Sequence, residues 1–118
     1  MENSPTAVRE RTKQFALRII RLCNSLPRTD AAHVIGRQLL RSGTSIGANY
    51  RSAQRGRSRA EFKAKLGVVL EEADETVYWL ELLVASGIVP ERRMKALLAE
   101  GIELVKIFAS SLRTARGN

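Results

Sequence analysis

The chain has 118 residues, 44% of them hydrophobic and 27% charged, a balance that supports one domain over residues 1–118 with a real core and excludes a low-complexity polymer. Its formal net charge of +8 is unevenly spread, with fourteen Lys/Arg against four Asp/Glu in residues 1–66 and six against eight in residues 67–118. A lone Cys23, no leader-like N-terminus and no apolar run near the ~20 residues that span a bilayer exclude an internal disulfide and a membrane helix, and predict a cytoplasmic protein.

Four helices follow from apolar spacing and punctuation. In the first, Val8, Phe15, Ile19, Leu22 and Leu26 share a narrow face, and Pro27 closes the helix. Thr29 or Asp30 is the N-cap of the second, which runs to about Gly56 with Ile35, Leu39, Ile46 and Ala53 on its core face. The Ser58-Arg-Ala-Glu61 capping box opens the third, whose core stripe reads Phe62, Leu66, Leu70, Ala73, Val77, Leu80 and Val84. Gly87 stops it, and Pro90 suits the first turn of a fourth helix carrying Met94, Leu97, Leu98, Val105, Phe108 and Leu112. Disorder is expected only at the ends, over about residues 1–5 and 113–118. No segment alternates with the period of a strand, and the joints are short. Sequential helices are therefore expected as antiparallel neighbours in an all-α, up-down four-helix bundle.

The second helix carries the informative surface. At about 100° per residue its exposed sector holds Arg37, Arg41, Arg51 and Arg55, and Arg57, Arg59 and Lys63 continue the charge across the next turn. Aligned guanidinium groups donate paired hydrogen bonds to phosphates and release counterions, which points to the backbone of RNA or DNA. Tyr50 lies off this track, so stacking on unpaired bases has little support, and a solvated face paired with a neighbour's acids is the plain alternative.

Between core and basic face lies a strip of Gly36, Gly43, Gly47 and Gln54. A helical glycine costs roughly 1 kcal/mol relative to alanine, so Gly43 and Gly47 imply a close approach, either inside the bundle or at a seam with another protomer. Glu72, Thr76, Trp79 and Leu83 share a flank of the third helix. Trp79 and Leu83 there serve equally as an oligomer interface or as a cover over the end of the core.

Chemistry at an active site finds little footing. Glu71, Glu72, Asp74, Glu75 and Glu81 cluster on the third helix, yet a di-iron bundle needs two Glu-x-x-His pairs and this chain has one histidine, His33. No nucleophile elbow, phosphate loop or zinc spacing is present. The expectation is a protein that is not an enzyme, with no catalytic residues, no metal and no cofactor.

Three stretches carry a family resemblance: Gln38-Leu-Leu-Arg-Ser-Gly-Thr-Ser-Ile-Gly-Ala-Asn-Tyr50, then Ser58 with Phe62 and Lys65-Leu66, then Glu71-Glu-Ala-Asp-Glu-Thr-Val-Tyr-Trp-Leu-Glu-Leu-Leu83. On them the chain resembles the 23S rRNA intervening-sequence proteins, departing at Ser52, where the family commonly carries glutamate. The resemblance implies a bacterial, non-enzymatic four-helix bundle that forms a homopentamer. It is also similar to basic pentameric bundles that work with a reverse transcriptase and nucleic acid. The expected partners are thus other copies of the chain and RNA or DNA, with an acidic protein recognised by a scaffold as the alternative.

Overall fold

Helix signals and stops in the sequence map closely onto the computed structural model, which describes residues 3–117. The helices are α1 (Pro5–Asn24), α2 (Asp30–Gln54), α3 (Arg59–Ala85) and α4 (Glu91–Ala115), and the described residues contain no strand. Ser4, Thr29 and Ser58 are the N-caps of the first three, their hydroxyl oxygens accepting from the amides of Ala7, Ala32 and Glu61. Pro90 stands one place earlier than expected. It is the N-cap of α4, and its carbonyl accepts from Arg93 N at 3.0 Å. Gly87, with φ +80°, takes the left-handed conformation that ends α3, and Val89 N then donates to the Leu83 carbonyl at 3.1 Å.

Among the described residues, helix reaches further toward both ends than the sequence implies. Pro5 already opens α1, and α4 continues through Arg113 to Ala115 because Leu112 and Ala115 are buried. Residues 1, 2 and 118 lie outside the described part.

Each helix packs on its neighbour in sequence, and α4 closes on α1, within a body of 44 × 24 × 22 Å. The core runs from Val8, Phe15 and Ile19 through Leu39, Ile46 and Tyr50 to Leu66, Leu80, Leu104 and Phe108. Tyr50 belongs to it, its ring tilted against Phe108 with centroids 5.4 Å apart. The stripe on α3 is rotated from the expected one. Leu66, Val69, Ala73, Thr76, Leu80 and Leu83 are buried, whereas Phe62, Leu70 and Val84 are only half-buried. The cause is position: α3 lies between α2 and α4, and the alternating steps of three and four residues form the seam that two flanking helices cover. Val77, half-buried on the α4 side, faces Gly101, where a Cβ would come within 3.2 Å of its Cγ2.

Candidate nucleic-acid interface

The basic residues of α2 share one exposed face, but they do not share one fate. Arg37, Arg51 and Arg55, with Arg57 in the following turn, are exposed. Arg41 leans onto α3 instead, where Nη1 lies 3.3 Å from Glu72 Oε1 and Nη2 bonds Glu75 Oε1. Its charge is met in part within the chain by two carboxylates, while the side chain stays about half exposed. Arg59, also exposed, donates through Nη2 to the Ala115 carbonyl at 3.3 Å, and Lys63 is half-buried. The expected seven-residue track therefore becomes Arg37 at one end and Arg51, Arg55 and Arg57 at the other. About 21 Å of helix separates Arg37 from Arg51 at 1.5 Å per residue.

The acids of α3 find a structural use. Glu75 also accepts from Trp79 Nε1 at 3.3 Å, which sets the indole against the ion pair rather than in open solvent. Tyr78 meets the same indole edge-on, with centroids 5.0 Å apart, while remaining 54% exposed. Among the described residues no three His, Cys, Asp or Glu side chains come together in a way that could hold a metal ion.

Four of the five residues assigned to an oligomer seam are engaged inside the chain. A Cβ on Gly43 would stand 2.9 Å from Ile19 Cγ1 and Cγ2, and one on Gly47 would stand 3.0 Å from Thr12 Oγ1, so both glycines serve the close approach of α1. Leu83 is 0% exposed and belongs to the core, and Glu72 is held by Arg41. Only Trp79, half-buried at the edge of the bundle, keeps a surface to offer.

The tight α1–α2 packing brings residues of α1 beside the basic face that the reading of α2 alone misses. Arg9, Lys13 and Arg51 line one cleft of about 770 Å³ between these helices. A second, of about 580 Å³, contains His33 and Arg37 beside the turn between them. Arg9 and Lys13 sit four residues apart on the side of α1 turned away from Val8 and Phe15, so the same helical-wheel reading applied to α1 finds them. Near this crossing, burial pushes the Tyr50 hydroxyl above its ordinary pKa while the Arg9 charge partly opposes the rise. Burial alone raises the Cys23 thiol, whose Sγ lies 3.5 Å from the Gly36 carbonyl.

Helical packing and a cationic face together define an all-α, four-helix protein of the kind that presents charge from rigid helices. The match to known families is specific: the 23S rRNA-intervening sequence protein family covers residues 5–110, and the chain belongs to it. Its fold is similar to the crystal structure of a protein of unknown function from the S23 ribosomal protein family of Bacteroides thetaiotaomicron. The TM-score is 0.85 with 38% identity, over 92% of this chain and 97% of that one. A comparison with curated proteins finds no match.

Proposed function

We propose that the protein is a non-enzymatic, cytoplasmic homo-oligomer that binds the backbone of RNA or DNA through the basic face of α2 and the turn that follows it. The observation that carries this reading is the exposure of Arg37, Arg51, Arg55 and Arg57 along one face, where Arg41, also exposed, is already paired with Glu72 and Glu75. Exposed arginines on a rigid helix and the turn that caps it can donate paired hydrogen bonds to phosphates, and they read charge and shape rather than sequence. The family's description, which couples these proteins to intervening sequences of 23S rRNA, supports an RNA setting.

The bundle is read as up-down and antiparallel. Supporting this, Thr12 faces Gly47, Ile19 faces Gly43 and Cys23 faces Gly36, so α1 and α2 run in opposite senses. Similarly, Arg59 at the start of α3 meets Ala115 at the end of α4. Assembly into a homopentamer completes the proposal, resting on the family resemblance.

Anisotropy titrations of labelled RNA and DNA oligonucleotides at several salt concentrations test the function. Binding should weaken steeply with salt and depend little on sequence, and Arg55→Glu with Arg57→Glu should lower the log–log slope by roughly 0.7 to 0.9 for each phosphate that is no longer neutralised. Wild-type protein that binds neither nucleic acid at low salt would overturn the reading. The arginine face would then belong to a scaffold for an acidic protein, since Arg41 shows that this face pairs readily with carboxylates.

A further inference from the structure

We infer that the cleft where the first turns of α1 cross the second half of α2 is a phosphate-binding subsite, which holds one phosphodiester of a bound nucleic acid. The inference rests on the nucleic-acid reading above and names the place where contact is closest. Its cations come from two helices: Arg9 and Lys13 from α1, Arg51 from α2. Gly47 favours the meeting, because a Cβ there would stand 3.0 Å from Thr12 Oγ1 and press on it. Among the described lining residues one carboxylate, Glu10, stands at the rim and already accepts from Gln14 Nε2 at 2.8 Å, so cations outnumber acids there.

Hydroxyl groups complete the lining, and their hydrogen bonds sort them into two kinds. Thr12 Oγ1 donates to the Arg9 carbonyl at 2.9 Å and Thr44 Oγ1 to the Leu40 carbonyl at 2.6 Å, so their protons are committed. Ser4 Oγ instead accepts from Ala7 N at 3.2 Å, and Thr6 Oγ1 accepts from Arg9 Nη2 at 3.5 Å. Neither bond uses the hydroxyl's own proton, which can therefore be donated to a phosphate oxygen. Both residues stand at the start of α1, where the helix dipole favours an anion. A point charge from Lys13, two planar guanidinium forks and two hydroxyl donors suit a tetrahedral oxyanion better than a flat carboxylate.

The test pairs a charge-reversal series with a residue-level probe. Arg9→Glu with Lys13→Glu should reduce affinity for a labelled oligonucleotide at least tenfold at low salt, with helicity unchanged because both side chains are exposed. Arg92→Glu with Arg93→Glu, an equal change of charge at exposed positions on α4, should reduce it far less. In a ¹⁵N-labelled wild-type chain, a six-nucleotide oligomer should shift the amides of Thr6, Ala7, Thr44, Gly47 and Ala48, and inorganic phosphate should shift the same set at higher concentration.

Tight oligonucleotide binding with those amides unmoved, or with both double variants equally weakened, overturns the subsite and leaves the broader function standing. Saturable shifts with inorganic phosphate, from a protein that binds no oligonucleotide at low salt, overturn nucleic acid as the source and reassign the cleft to a free phosphate compound. No shift with either probe overturns the subsite outright.

Discussion

Gly43 and Gly67 both sit inside long helices, yet the space around them is opposite, and that difference makes a test of why glycine is present. Around Gly67 nothing lies within 4 Å of where a Cβ would stand. Gly67→Ala should therefore stabilise the protein by about 0.5 to 1 kcal/mol, the ordinary gain in helix propensity. At Gly43 a Cβ would press on the branched side chain of Ile19, which is 0% exposed and has nowhere to move. Overpacking of this kind costs typically about 1 to 3 kcal/mol, which exceeds the propensity gain, so Gly43→Ala should destabilise. Urea unfolding followed by circular dichroism checks both signs. Equal effects at the two positions would mean that the α1–α2 approach does not constrain the second helix.

Pairs of helices are joined by a small number of polar contacts whose worth differs with burial. Arg11 pairs with Glu100 at 2.8 Å between α1 and α4, and Arg41 pairs with two carboxylates between α2 and α3; all are partly exposed, and surface pairs contribute little. The buried link is Ser42 with Thr76, both 0% exposed, whose hydroxyl oxygens lie 2.9 Å apart across α2 and α3. Thr76 Oγ1 also lies 2.7 Å from the Glu72 carbonyl, while Ser42 has only a long 3.4 Å contact to Leu39 O besides. Thr76→Val thus strands the serine hydroxyl, at a cost of about 1 to 3 kcal/mol. Removing both hydroxyls in Ser42→Ala with Thr76→Val should cost less than the two single changes together, with a coupling of about 0.5 to 1.5 kcal/mol. Simple additivity in a double-mutant cycle would sink the idea that the pair ties α2 to α3. This link is not legible in the sequence, where Thr76 falls on the flank beside the expected core stripe, and only the rotation of α3 between two neighbours reveals Thr76 and Val69 as core.

At the level of the whole molecule, periodicity and caps made four helices legible, since an apolar stripe and a capping hydroxyl are local signals. The basic face was legible in the same way, as a wheel of α2. Which of its arginines pairs within the chain was not, because the partners of Arg41 lie 31 and 34 residues further on. A wheel of α1 finds Arg9 and Lys13 on one side of that helix, but their meeting with Arg51 depends on where α1 crosses α2. A seam in the proposed pentamer would depend on packing in the same way, and Tyr78 bears on it. With Gly43, Glu72 and Leu83 engaged within the chain, the aromatic surface left on α3 is Tyr78, more than half exposed, standing edge-on to the half-buried Trp79. Aromatic side chains in such positions are frequent anchors between subunits, since they bury large area at a small cost in rotamer entropy. If the proposed pentamer uses this surface, Tyr78→Glu should break it by placing a carboxylate in a desolvated contact, one residue from Val77 and close to Asp74, Glu75 and Glu81 in sequence. Helicity should persist, because the side chain is not part of the core. Light scattering on wild-type protein should then report five chains of 13.1 kDa each, and on the variant a smaller species. A wild-type monomer at micromolar concentration would remove the pentamer, whereas a variant of wild-type size would move the seam off the outer face of α3 and onto another side of the bundle.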